Sequence, residues 1–368
     1  MPSFFYKGRY DREMFTTENT LNEVIEGTKD PKIKAYFSLG MPSEFFDLVP
    51  EELKGCPLAE IKERYTMPWG MPYPAEEMAA TANFADNIVR QEKYGVFSLW
   101  GREDSVPDPL ENGKSSVFLL TLHKEQASAP EEKKPAVILC PGGGYETLSF
   151  IGEGISMAER LEKEGYFPFV LRYRLSPNRY PASQEDLALA VKFVRANAER
   201  FGIDPHRLML MGSSAGGHLC ASTAALVDEI DRALTTELEE TMPEAAEKYR
   251  GISIRPDSLC LNYAVISFGK ESHMGSIQAL TGGQDALREK LSVEKQVSDG
   301  FPKTFLWACE DDQLVPVSNT TRMGDALREK GVPFKMMIYP TGGHGCGLAA
   351  GTSAEGWFDE MIKFMKEK

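Results

Sequence analysis

At 368 residues, the chain can form one large domain with an appendage, or two modest domains. Apolar residues make up 42% of it, enough for a sizeable core, which excludes a disordered chain. Its 41 basic residues against 55 acidic ones leave a net charge of −14, which on average repels a nucleic-acid backbone. No apolar run is long enough to span a bilayer.

The opening "MPSFFYKGRYDREMF" lacks a basic start followed by a long apolar region, so no secretory leader is expected there. Cys56, Cys140, Cys220, Cys260, Cys309 and Cys346 are scattered without CxxC spacing. These features predict a reduced, cytoplasmic protein.

In chain order, residues 1–92 read as a small helical module with a tether. "TLNEVIEG" carries a capping box, Thr20 with Glu23, and stops at Gly27. "PKIKAYF", "SEFFDLV" and "LAEIKERY" are further short helical pieces. The tether "YTMPWGMPYP" sets Trp69 and Tyr73 among prolines and methionines, where aromatic rings suit an apolar contact or a sugar-stacking surface.

From residue 93 to 368, short β-rich runs alternate with amphipathic helices. The strand candidates are "YGVFSLW", "SSVFLLTLH", "PAVILC", "FPFVLRYRL", "RLMLMG", "SLCLNYAVI", "TFLWAC" and "FKMMIY". The central runs are almost continuously apolar, as strands covered on both faces are. The alternation predicts an α/β fold with a mostly parallel sheet flanked by helices, its first two strands forming an antiparallel edge. One helix is expected after Ser183 with its stop at Gly202, and another after Thr352 or Ser353. An acidic helical insertion over about 228–250 reads equally well as a cap or as a solvated helix.

The stretch "MLMGSSAGGHLC" joins a strand to a helix. Gly212, Ser213, Ser214, Ala215 and Gly216 fit G-x-S-x-G, whose glycines relieve a strained turn that lifts the central hydroxyl out of the sheet. The spacing selects Ser214 as a nucleophile. "CPGGGYE", directly after the third strand, offers unobstructed backbone N–H groups for a developing oxyanion, together with the amide of Ala215. It lacks the Lys-Ser/Thr of a P-loop and the spacing of a dinucleotide fingerprint. "CEDDQLVPV" follows the seventh strand with three carboxylates in a row, Glu310, Asp311 and Asp312, any of which could orient an imidazole. "YPTGGHGCG" places His344 on a glycine-rich loop after the eighth. The order Ser, Asp, His is that of the α/β-hydrolase fold.

Tyr145 and Ser213, beside these groups, are further candidates for substrate contact. His218 is expected to pack or hydrogen-bond behind the serine, and His273 to serve a loop or to reach the rim of the site. No spacing of His, Cys or carboxylates suits a metal.

"VILCPGGGYETLSF", "VLRYRLSP", "YPASQEDLALAVKFVRANAERFGIDPHRLMLMGSSAGGHLCAS", "DDQLVPVSNT" and "YPTGGHGCGL" resemble the α/β-hydrolase esterases related to hormone-sensitive lipase. Within that group they are most similar to bacterial acetyl-xylan-esterase-like and feruloyl-esterase-like enzymes. The resemblance covers roughly residues 95–368. It implies a serine esterase without a cofactor, acting on short acyl, chiefly acetyl, esters of a carbohydrate or other small molecule. It selects Asp312 through the D-x-x-V-P pattern, and Gly143 and Gly144 as the glycine donors. Ser213 stands where these enzymes often carry histidine, P-G-G-G replaces H-G-G-G, and "ACED" replaces the usual residues before the aspartate. The first 90 residues resemble helical modules attached to sugar-active hydrolases. No nucleic acid or membrane partner is expected, and homo-oligomerisation stays open. A prolyl-oligopeptidase-type peptidase would use the same triad order but usually carries a propeller domain. A non-catalytic binding module on this fold would usually lack a triad member.

Overall fold

A computed structural model describes residues 15–40, 44–67, 73–90, 94–101, 107–108, 111–123, 132–269 and 272–367. The strands are β1 (Gly95–Ser98), β2 (Phe118–Thr121), β3 (Lys134–Cys140), β4 (Phe167–Arg172), β5 (Ile203–Ser213), β6 (Ser258–Asn262), β7 (Lys303–Cys309) and β8 (Phe334–Tyr339). They form one sheet in the order β1-β2-β4-β3-β5-β6-β7-β8. β2 runs antiparallel to both β1 and β4, and the remaining pairs are parallel. This is the mostly parallel sheet with an antiparallel edge that the alternation of elements predicts, in the α/β-hydrolase arrangement that the resemblance implies. Ala136–Cys140 of β3 and Leu208–Ser213 of β5 are buried throughout, as their unbroken apolar runs require.

Several element boundaries differ from the sequence reading; β6, for instance, stops at Asn262, where the run "SLCLNYAVI" continues to Ile266. β5 begins at Ile203 rather than at the apolar run, because Ile203 and Asp204 already pair with Lys134 and Pro135 before a register shift. The last helix starts at Trp357, not near Thr352. Ser353 is engaged elsewhere: its Oγ accepts from the Thr341 amide and donates to the Thr341 carbonyl, both at 2.8 Å.

The helix Ala182–Ala196 pauses at Asn197, and a short turn, Ala198–Phe201, then reaches Gly202 at φ +61°. The acidic insertion forms helices Val227–Thr241 and Pro243–Lys248. Val227, Ile230, Leu234 and Leu238 join the main core, so the insertion thickens the helical layer beside Ala182–Ala196.

The N-terminal helices are Leu21–Gly27, Pro31–Gly40, Glu44–Leu48, Leu58–Arg64 and Ala75–Arg90. The capping box forms: Glu23 N–H donates to Thr20 Oγ1 at 3.2 Å, and Thr20 N–H donates to Glu23 Oε2 at 2.8 Å. Ala75–Arg90 has no counterpart among the elements expected from the sequence, although Pro74 and the acidic first turn of Glu76 and Glu77 are ordinary helix-start signals. Its Met78, Ala82 and Ala85 pack into the helical module's own core, while Phe84 and Ile88 enter the main core. Tyr73 is fully buried in the module core, and among the described residues its hydroxyl has no hydrogen-bond partner. Its ring therefore offers no face to a sugar, which corrects the expectation of substrate contact there. Trp69 lies outside the described residues. Among the described residues, no helix is long and apolar enough to cross a membrane.

Candidate active site

The parallel strands all end on one edge of the sheet, and the chemistry-bearing residues follow directly from those ends. Ser214 leaves β5 at φ +51° and ψ −122°, a conformation that L-residues rarely adopt. Tight packing enforces the flanking glycines. A Cβ on Gly216 would stand 2.0 Å from the Cys140 carbonyl oxygen, and one on Gly212 would stand 2.2 Å from the Gly216 oxygen. The strained turn is pinned on both sides, since Ser214 N–H donates to the Asn262 carbonyl at 2.9 Å and Val265 N–H donates to the Ser214 carbonyl at 3.1 Å.

His344 Nε2 lies 2.8 Å from Ser214 Oγ, and His344 Nδ1 lies 2.7 Å from Asp312 Oδ2. The ionised carboxylate can only accept, so Nδ1 carries the proton and Nε2 offers its lone pair to the serine hydroxyl. Asp312 is held in turn: its Oδ1 accepts from the amides of Leu314 and Val315 at 2.9 Å each. Asp311 takes a different position. Its Oδ1 accepts from Gly342 and Gly343 at 3.0 and 2.8 Å, supporting the backbone that carries His344. Geometry thus separates two adjacent aspartates that composition alone leaves equivalent.

The glycine loop after β3 turns back on itself, with Glu146 and Thr147 amides donating to the Gly143 carbonyl at 3.0 and 2.9 Å. Gly143 and Gly144 have φ of +133° and +67°. Among the described residues, no protein acceptor takes the amides of Gly143, Gly144 or Ala215. Ala215 opens the helix Ala215–Ala225, whose N-terminal dipole also favours negative charge at this point.

Two candidates for substrate contact turn inward. Tyr145 is buried, and its hydroxyl donates to His218 Nδ1 at 2.8 Å. Ser213 is buried, and its Oγ accepts from Asn262 Nδ2 at 3.1 Å. Both support the elbow from behind and neither offers its polar atom to a substrate, which corrects the reading from the sequence. His218 behaves as expected. Its Nε2–H donates to the Leu291 carbonyl at 2.8 Å, its ring stacks on Phe268, and burial pushes its pKa down to about 4, so it stays neutral.

His273, read either as a loop residue or as one at the rim of the site, caps a helix and also lies at that rim. Its Nδ1 accepts from Ser276 N–H at 3.2 Å, and its Cε1 lies 3.5 Å from where a Cβ on Gly144 would stand. Burial first, and then the neighbouring His344, lower its pKa. Among the described residues, no group of His, Cys or carboxylates could hold a metal ion.

A nucleophile elbow, a histidine after the last strand and an aspartate after the one before it define the α/β-hydrolase class with a Ser–His–Asp constellation. The chain belongs to the BD-FAE family of α/β-hydrolase esterases, whose model matches residues 124–327. It is 32% identical over 294 residues to endo-1,4-beta-xylanase B of Butyrivibrio fibrisolvens, covering 78% of this chain and 41% of that protein. It is 29% identical over 238 residues to the acetylxylan esterase of Xylanibacter ruminicola, covering 62% of this chain and 44% of the relative. The chain therefore spans less than half the length of these two relatives. Among solved structures, the acetyl ester-xyloside bifunctional hydrolase of Caldicellulosiruptor lactoaceticus is 32% identical with a TM-score of 0.63. That match covers 74% of this chain and 95% of that one.

Proposed function

We propose that the chain is a serine esterase that removes short acyl groups, acetyl above all, from a carbohydrate ester. The relay from Asp312 through His344 to Ser214, at 2.7 and 2.8 Å, carries the chemical part of this reading. Ser214 Oγ attacks the ester carbonyl while His344 Nε2 takes its proton. The amides of Gly143, Gly144 and Ala215 meet the oxyanion of the tetrahedral intermediate. Collapse of that intermediate breaks the acyl–oxygen bond, and the leaving alkoxide takes the proton from His344. Water then attacks the acyl-serine with His344 again as base, and the acid leaves as Ser214 recovers its proton. Asp312 fixes the imidazole tautomer and meets the transient imidazolium.

The acetyl and carbohydrate parts of the reading are supported by the acetylxylan esterase and acetyl ester-xyloside hydrolase among the similar proteins. We assign the chemistry to residues 93–368 and regard residues 1–92 as a module that adjoins it. The test is kcat/KM on p-nitrophenyl esters from acetate to octanoate, with acetate release from acetylated xylo-oligosaccharides. The reading predicts the highest value for the acetate ester and turnover of the oligosaccharide. Preference for long acyl chains, or no acetate released, would overturn it.

A further inference from the structure

The two glycine donors to the oxyanion and the general base sit on loops after β3 and β8, and three strands, β5, β6 and β7, lie between those two in the sheet. A misplacement of about 1 Å between these loops would cost the reaction on the order of 10²-fold. A buried side chain spans the gap. Glu153, in the irregular helical turn Phe150–Ile155, is 4% exposed. Its Oε2 accepts from the Gly142 amide at 2.6 Å, at the base of the glycine loop. Its Oε1 accepts from the Tyr263 hydroxyl at 2.8 Å, and that hydroxyl accepts from the Gly347 amide at 3.1 Å, in the loop that carries His344.

Each part of this chain is fitted to its neighbours. A Cβ on Gly142 would meet Glu153 Oε2 at 2.7 Å and Ser214 Cβ at 2.8 Å, so the bare glycine lets carboxylate and nucleophile approach together. Tyr263 adopts φ +37° at the end of β6 and places its ring edge-on to His344, with centroids 5.1 Å apart. Among the described residues, Glu153 forms no ion pair with a Lys or Arg; its side-chain partners are Gly142 and Tyr263. Burial, the largest influence, pushes its pKa up; its hydrogen bonds to Tyr263 and Gly142, and then the nearby His344, pull it down. A buried carboxyl without a cationic partner is costly to keep. The donors around it, Gly142 N–H and Tyr263 O–H, suit an acceptor-only carboxylate.

We propose that Glu153 is a positioning residue that, with Tyr263, locks the oxyanion loop to the histidine loop. The inference rests on Ser214 as the acyl acceptor. The pair acts through the placement of the Gly143 and Gly144 amides and of His344, and touches no substrate. Its loss should therefore weaken transition-state stabilisation while leaving ground-state binding intact.

The test is a kinetic double-mutant cycle on p-nitrophenyl acetate with Glu153→Gln, Tyr263→Phe and the double variant, with melting temperatures in parallel. Each single change should lower kcat by about 10- to 100-fold with KM within about threefold. The double variant should lose little more than the worse single one, because both break the same chain. Losses that multiply in the double variant, or that fall on KM alone, would overturn the inference. If Glu153→Gln fails to fold, Tyr263→Phe decides: a kcat within twofold of the parent overturns the proposal. The two readings fail separately. A parent chain that hydrolyses no ester overturns the esterase reading and takes this inference with it. An active parent with independent losses at Glu153 and Tyr263 overturns this inference alone.

Discussion

The catalytic edge of the sheet and the N-terminal helical module are both well buried, yet they are built in opposite ways. Among the described residues, every non-glycine residue at positive φ lies at the edge: Tyr145, Ser214, Tyr263 and Ala349. There, buried polar groups form continuous hydrogen-bonded chains, Asp312–His344–Ser214 and Glu153–Tyr263–Gly347. The module carries no such residue among those described. Its core is mostly apolar, with residues such as Leu21, Val24, Leu58, Ile61 and Met78 fully enclosed, and among the described residues it leaves the Tyr73 hydroxyl without a partner. Strained backbone persists only where its surroundings over-determine it, and such places cluster at functional sites. The edge is thus organised for placement of atoms, and the module for cohesion. The helix Ala75–Arg90 joins the two by burying Met78 on one side and Phe84 on the other.

If this contrast is right, changes at the edge show up in rate and changes in the module show up in stability. The largest effect belongs to Asp312→Asn, which should cost roughly 10⁴ in kcat by presenting the wrong partner to His344. A loss below tenfold would break the contrast at its strongest point. In the module, Met78→Ala should cost about 2–5 kcal/mol of stability through lost burial and a cavity. Kcat per folded molecule should stay near that of the parent; a matching fall in kcat would mean that the module shapes the site directly.

His218 sharpens the comparison through pH. Its folded pKa, pushed down to about 4 by burial, lies below the ordinary imidazole value near 6.5. Between those values the unfolded chain binds the extra proton, so this stabilisation is present above about pH 6.5 and is lost as pH falls towards 4. The difference in unfolding free energy between the parent and His218→Gln should shrink by about 3 kcal/mol over that window. A constant difference would show that His218 is protonated in the folded protein. The smallest effect is expected for Asp311→Asn, within about threefold in kcat, since the amide oxygen can still accept from both Gly342 and Gly343.

Much of the edge is legible in sequence because its signals are local. G-x-S-x-G, the glycine run and the final histidine each follow an apolar strand, and strand ends in a parallel sheet converge on one side. The fold follows from the same periodicity. What escapes is whatever depends on contacts between distant residues. Glu153 in "FIGEGI" has the composition of a surface turn, and its partners Gly142 and Tyr263 stand 11 and 110 residues away. Tyr145 and Ser213 lie beside the nucleophile in sequence, yet their direction is set by His218 and Asn262. Tyr73 reads equally as an apolar contact or a sugar-stacking ring among prolines, and it is buried in the module core beside the helix that begins two residues later. The choice among Glu310, Asp311 and Asp312 needed either the family pattern or the geometry, since three adjacent carboxylates carry no local distinction.

The most direct test of the central assignment is peptide mass spectrometry after reaction with a fluorophosphonate, run beside the acetate-ester assay on Ser214→Ala and Ser213→Ala. The account predicts a single phosphonylated serine at position 214, loss of both labelling and turnover in Ser214→Ala, and a substantial share of both in Ser213→Ala. Label on Ser213, or turnover by Ser214→Ala comparable to the parent, would contradict it.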